Sequence, residues 1–156
     1  MILIRWWRSS GEVESGEWRV RTLDTRLSTL NYWLANPMFT FEKLDVWQKA
    51  VEYADHIYKV TRNFPVEERF GLAGQLRRSA VSISSNIGEG SSRSSRTDFA
   101  RFVEIAYGSL LESISELKIA RMQEFLNDVM FETAYRKAEE LARMLSGFRR
   151  TLKKRP

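Results

Sequence analysis

The sequence predicts an all-α fold, an antiparallel up-and-down four-helix bundle, on three observations. Apolar residues recur at three- and four-residue steps through four separate stretches after Phe41. The breaks between these stretches are short and marked by proline, serine or asparagine, so neighbouring helices run antiparallel. At 156 residues, with 43% hydrophobic and 29% charged residues, the chain suits a single soluble domain with a real core.

Residues 1–37 stand apart from this pattern. They hold Trp6, Trp7, Trp18 and Trp33, four of the five tryptophans, and show no long helical rhythm. A strand-like piece at Glu17–Arg21 and a weak helix over Thr25–Leu34 are the most regular readings, and Pro37 then interrupts the chain. The segment is expected to be a poorly structured extension, or to precede a translation start at Met38. The alternative is an arm that docks its tryptophans on the bundle or on a partner. The bundle domain is assigned to residues 38–156.

The first helix follows Phe41, with Leu44, Trp47, Val51, Ala54, Ile57 and Tyr58 as its apolar stripe and Asp45 at its positive end. Asn63-Phe64-Pro65 stops it, because the residue before proline is pushed out of helical geometry. A second helix begins between Val66 and Leu72 and runs to about Glu89, where Gly88 and Gly90 read as a helix end. Leu72, Leu76, Ala80, Ile83 and Ile87 line one of its sides. Gln75, Ser79, Ser82, Asn86 and Glu89 line another, which is unusually small and uncharged for a solvated face.

After the polar connector Ser91–Ser95, a third helix starts near Arg96, with Thr97 or Asp98 as its cap. Phe99, Phe102, Val103, Ala106, Leu110, Leu117 and Ala120 carry its stripe to about Met122. Gly108 in mid-helix costs about 1 kcal/mol against alanine, which a close approach of the second helix would offset. Asn127 or Asp128 caps the fourth helix, whose seam is Phe131, Ala134, Ala138, Leu141, Leu145, Phe148 and Leu152.

Several chemistries are excluded or disfavoured. There is no cysteine, hence no disulfide, thiol nucleophile or cysteine-based metal site. The single His56 speaks against a histidine-rich zinc site or a Ser-His-Asp triad, and it lacks the Glu-x-x-His spacing of carboxylate-bridged di-metal bundles. Gly88-Glu89-Gly90 is too short for a phosphate loop and follows a helix, whereas such loops open one. No catalytic residue, metal or cofactor is expected. No apolar run approaches the ~20 residues that cross a bilayer, and a cytoplasmic protein without a membrane partner is the simplest expectation.

The formal net charge of +5 and a pI near 9.7 permit nucleic-acid binding without demanding it. Arg149, Arg150, Lys153, Lys154 and Arg155 crowd the carboxyl end, where cations also complement the negative end of a helix. Arg93 and Arg96, in the serine-rich connector, are the other candidates for phosphate contact. Arg78 is expected to pair with Glu112 or Glu116 across a helix interface. The stripe of Gln75, Arg78, Ser79, Ser82, Asn86 and Glu89, with Ser109 and Glu112 opposite, is expected to lie between subunits. The plainer alternative places that stripe inside one bundle, facing Ser109 and Glu112.

Phe41-Glu42-Lys43-Leu44 with Trp47-Gln48-Lys49-Ala50, Phe64-Pro65, Gly71-Leu72, the run QLRRSAVSISSNIGEG, Asp98-Phe99 and Gly108-Ser109-Leu110-Leu111-Glu112 carry a family likeness. Over about Phe41 to Leu152 the chain resembles the four-helix-bundle proteins encoded in intervening sequences of bacterial large-subunit ribosomal RNA genes. It is also similar to the accessory protein of diversity-generating retroelements, which pairs with a reverse transcriptase. Ser84 and Ser85 stand where the common pattern has proline or alanine. The resemblance implies a homopentameric barrel with a basic surface suited to RNA or DNA, and no established enzymatic activity. The expected function is therefore a non-catalytic oligomeric nucleic-acid-binding module. The alternative is an interaction scaffold or accessory subunit for a nucleic-acid-processing enzyme such as a reverse transcriptase.

Overall fold

The computed structural model describes residues 39–154. The readings placed on residues 1–37, and Arg155, lie outside the described residues. Four helices follow in order: α1 Asp45–Val60, α2 Leu72–Ser91, α3 Arg96–Met122 and α4 Asp128–Lys153. Short 3-10 turns occupy Thr40–Lys43, Thr61–Asn63 and Val66–Arg69. α1 packs on α2 and α4, and α3 packs on the same two, so the chain goes up, down, up and down around one core.

The buried face of α1 differs from the expected stripe. Val46, Ala50, Tyr53, Ala54, Ile57 and Val60 are buried, Leu44 and Trp47 are half-buried, and Val51 and Tyr58 face outward. The helix is turned because the Tyr53 hydroxyl finds a partner inside, Ser113 Oγ at 2.9 Å, which allows a tyrosine to be fully buried. Trp47 is instead held at the margin by an edge contact with Phe41, centroids 5.1 Å apart. The helix stops as expected: Thr61 Oγ1 donates back to the Ile57 carbonyl at 2.8 Å, and Phe64 before Pro65 is extended.

α2 opens where Glu68 Oε2 accepts the Leu72 N–H at 2.8 Å. It does not end at its glycines. Gly88 and Gly90 lie within the helix, and Gly90 is buried because a Cβ there would come within 2.6 Å of Phe99 Cδ2 and 2.7 Å of Phe102 Cβ. Gly90 is thus a point of close helix approach. Gly108 is the opposite case: no atom lies within 4 Å of where its Cβ would be, so the close contact expected there is absent.

Ser95, two residues before the expected cap at Thr97 or three before Asp98, caps α3 by accepting the Asp98 N–H at 3.0 Å. α3 ends in a Schellman arrangement, with Phe125 N–H donating to Ala120 O at 2.9 Å and Glu124 N–H to Arg121 O at 3.0 Å. Asn127 caps α4 through the Met130 N–H at 2.8 Å, and Phe131, Ala134, Ala138, Leu141 and Leu145 form its buried seam. Among the described residues, no helix is long and apolar enough to cross a membrane.

Candidate nucleic-acid interface

Antiparallel packing brings the end of α2, the start of α3 and the end of α4 to one end of the bundle. Gly90 of α2 rests on Phe99 of α3, and Phe99 makes an edge contact with Phe148 of α4, centroids 5.2 Å apart. On this apolar base stand the two basic stretches, 53 or more residues apart in sequence. Arg96 Nη2 donates to the Thr151 carbonyl at 2.6 Å, engaging one of the last α4 carbonyls that lack a helical partner. Glu104 Oε1 accepts Arg149 Nη1 at 2.7 Å and lies 3.4 Å from Lys153 Nζ. Arg93 pairs with Glu89 and sits over the Phe102 ring, 4.5 Å from its centroid.

Arg150 and Lys154 are exposed and, among the described residues, make no ion pair. The structure therefore brings together Arg93, Arg96, Arg149, Arg150, Lys153 and Lys154. Their existing pairings do not withdraw them from a ligand. Exposed ion pairs of this kind contribute only about 0–1 kcal/mol, so a phosphate can displace Glu104 or Glu89 at little cost.

The small-residue stripe divides into an inner and an outer part. Ser82 Oγ lies 2.9 Å from Ser109 Oγ on α3, and Asn86 Nδ2 donates to the Ser82 carbonyl at 2.7 Å and to Ser82 Oγ at 3.0 Å. Ser79 is buried and donates to Glu116 Oε2 at 2.6 Å. These groups form a hydrogen-bonded seam between α2 and α3 of one chain. Gln75, Arg78, Glu89 and Glu112 are exposed on the outer side.

Arg78 does not pair with Glu112 or Glu116 as expected. Ser79 has taken the Glu116 carboxylate, and Arg78 points outward with no ion pair among the described residues. Glu112 and Glu116, one turn apart, have opposite environments, exposed and 5% exposed respectively. Burial raises the Glu116 carboxyl above the usual range; Glu112 adds to the rise, while Ser79 and Arg78 oppose it. Its Oε1 has no hydrogen-bond partner among the described residues.

Tyr53 and Ser113, buried beside this seam, were not singled out in the sequence. Burial pushes the Tyr53 phenol up to about 12. The available signal was the spacing Ser109, Ser113, Glu116, which continues the polar line of α3 inward. Arg77 is a further residue that packing engages. Its Nε and Nη2 donate to Thr61 Oγ1 at 2.7 Å and Thr61 O at 3.1 Å, bracing the end of α1.

A family model described as 23S rRNA-intervening sequence protein matches residues 42–147, which include the seam and, of the basic end, Arg93 and Arg96. Among solved structures, the chain is similar to a protein of unknown function from the S23 ribosomal protein family of Bacteroides thetaiotaomicron. That likeness has a TM-score of 0.63 and 25% identity, covering 67% of this chain and 95% of the other. No curated protein matches the sequence.

Proposed function

This chain belongs to the 23S rRNA-intervening sequence protein family, and from that premise we propose that it is a non-catalytic, homo-oligomeric module that binds structured RNA or DNA through its basic end. The observation that carries the reading is the Arg96–Thr151 contact, which joins the connector arginines to the cationic last turns of α4. A single copy offers a modest patch; several copies on one assembly multiply it, and tethered weak contacts gain avidity without any new contact.

The outer face of α2 and α3 supports assembly. Val81, Ile105, Leu111 and Ile119 are exposed there at 39–48%, beside Ser85 and the open Gly108. An apolar, small-residue surface of this kind admits close approach of a second copy, and a pentameric barrel is the arrangement that the family resemblance implies.

Binding to a structured RNA and to duplex DNA, measured across salt concentrations, tests the proposal. Affinity is expected to fall steeply as salt rises. The Arg150→Glu/Lys154→Glu variant is expected to lose roughly tenfold or more in affinity while keeping its helical content. Binding that is absent, or indifferent to salt and to these charges, refutes it. A second reading is an accessory or scaffold role for a nucleic-acid-processing enzyme such as a reverse transcriptase. It is favoured by Met122 and Val129, exposed at 80% and 76% at the opposite end of the bundle. A protein partner that stays bound in a pull-down after nuclease treatment would select that role.

A further inference from the structure

At the far end of α2 from the basic surface lies a second concentration of guanidinium groups, drawn from three short segments. A hollow of about 300 Å³ opens between the α1–α2 connector and the first turns of α2. Thr61, Arg62, Phe64, Val66, Arg69 and Arg77 line it, and no carboxylate does. Thr61 fixes Arg77 through its Nε and Nη2, and the Arg77 guanidinium also lies over the Tyr58 ring at 5.2 Å, so this group is pre-positioned. That bracing explains Arg77. It does not explain Arg62 and Arg69, which are exposed and make no hydrogen bond or ion pair among the described residues, the Arg69 guanidinium lying only over the exposed Phe70 ring, 5.7 Å from its centroid.

Two acids lie close by in sequence. Glu68 is committed to the Leu72 N–H that opens α2, and Glu67 is exposed and makes no ion pair among the described residues. Three arginines thus line one recess that no carboxylate lines, an arrangement whose field favours an anion.

We infer that this hollow binds a terminal phosphate monoester, held by the guanidinium groups of Arg62, Arg69 and Arg77. A monoester carries about −1.5 to −2 at pH 7 and three acceptor oxygens, which suits three forked donors better than a backbone diester with a single charge. The volume, at the low end of ligand pockets, leaves room beside Phe64 and Val66 for the adjoining sugar. The site stands roughly 20 Å along α2 from the basic end. It is thus separate from the surface formed by Arg96, Arg149 and Lys153, and does not depend on that reading. The same chemistry occurs on a free nucleotide and at the 5′ end of an RNA.

Two matched pairs of probes test the inference on the full chain: a 5′-phosphorylated and a 5′-hydroxyl oligoribonucleotide of one sequence, and a nucleoside 5′-monophosphate and its nucleoside. The phosphorylated member is expected to bind roughly tenfold or more tightly. A preference in the oligonucleotide pair alone identifies an RNA end as the ligand; a preference in the mononucleotide pair as well identifies a free nucleotide. The preference is expected to vanish in Arg62→Ser/Arg69→Ser, whose side chains make no hydrogen bond or ion pair among the described residues, and to survive in Arg136→Ser, an exposed arginine of α4 outside both basic groups. Equal affinities within both pairs overturn the inference. So does a preference that persists in Arg62→Ser/Arg69→Ser or disappears in Arg136→Ser.

Discussion

Two glycines show how a single residue type can serve opposite purposes. At Gly90 an added methyl would meet Phe99 and Phe102 well inside contact distance, and the Phe102 atom is its Cβ, which cannot swing away. Gly90→Ala is therefore expected to destabilise the protein by about 1–3 kcal/mol, the cost of overpacking. Gly108→Ala meets nothing and replaces a poor helix former, so a gain of about 1 kcal/mol is expected. Paired urea denaturation curves of the two variants check both signs.

Titratable groups give a second prediction at this scale. Burial holds His56 below its ordinary 6.5, Lys137 and Lys59 lower it further, and Asp55 opposes them. The folded protein then binds fewer protons than the unfolded chain, so this contribution is full above 6.5 and is lost as pH falls through the depressed value. Glu116 runs the other way. Its carboxyl is raised, so its contribution is full below the ordinary 4.5 and declines as pH rises through the raised value. Melting temperatures between about pH 4 and pH 8 should show His56→Gln flattening the acid-side loss and Glu116→Gln flattening the loss toward neutrality. Parental slopes in both variants would show that other groups set the profile.

At the scale of the elements, the turn from α3 to α4 carries backbone strain. Glu124 has a φ of 60°, the left-handed conformation that glycine adopts freely, at the position a Schellman turn requires. Glu124→Gly is expected to stabilise by up to about 1 kcal/mol, the relief of backbone strain exceeding the entropy that glycine adds to the unfolded chain. A higher urea midpoint at constant slope would show it; an unchanged or lower midpoint would count against this account of the turn. Helices α2, α3 and α4 were legible in their sequence because their apolar period is unbroken. The face of α1 was not, since Tyr53, Trp47 and Tyr58 can each lie inside or outside. What decided it was Ser113, 60 residues away. The capping of α3 by Ser95 was missed because Ser95, Thr97 and Asp98 are all competent caps.

For the molecule as a whole, the helical bundle is readable from periodicity, while the sites depend on what tertiary packing juxtaposes. Each basic stretch is visible in the sequence, but their meeting is not, because 55 residues separate Arg96 from Thr151. The same holds for Arg62, Arg69 and Arg77. Adjacent residues on a helix point about 100° apart, so nothing local distinguishes the braced Arg77 from the outward Arg78. The serine stripe was legible as an engaged face, yet part of its hydrogen bonding is completed within the chain by Ser109 and Glu116. Assembly is therefore better tested on the outer face. Ile105→Lys, at a position 47% exposed, is expected to lower the solution mass by light scattering without loss of helix content. An oligomer of undiminished mass would move the contact elsewhere.

The bond from Arg96 to the last turn of α4 also affects how that helix ends. Terminal turns ordinarily fray, their amides exchanging with solvent almost freely. Here the Thr151 carbonyl is held by Arg96 from the first turn of α3, so unwinding the end of α4 requires that side chain to release it. A polyanion bridging both would slow that opening, and amide exchange near Lys154 would then register occupancy of the basic end.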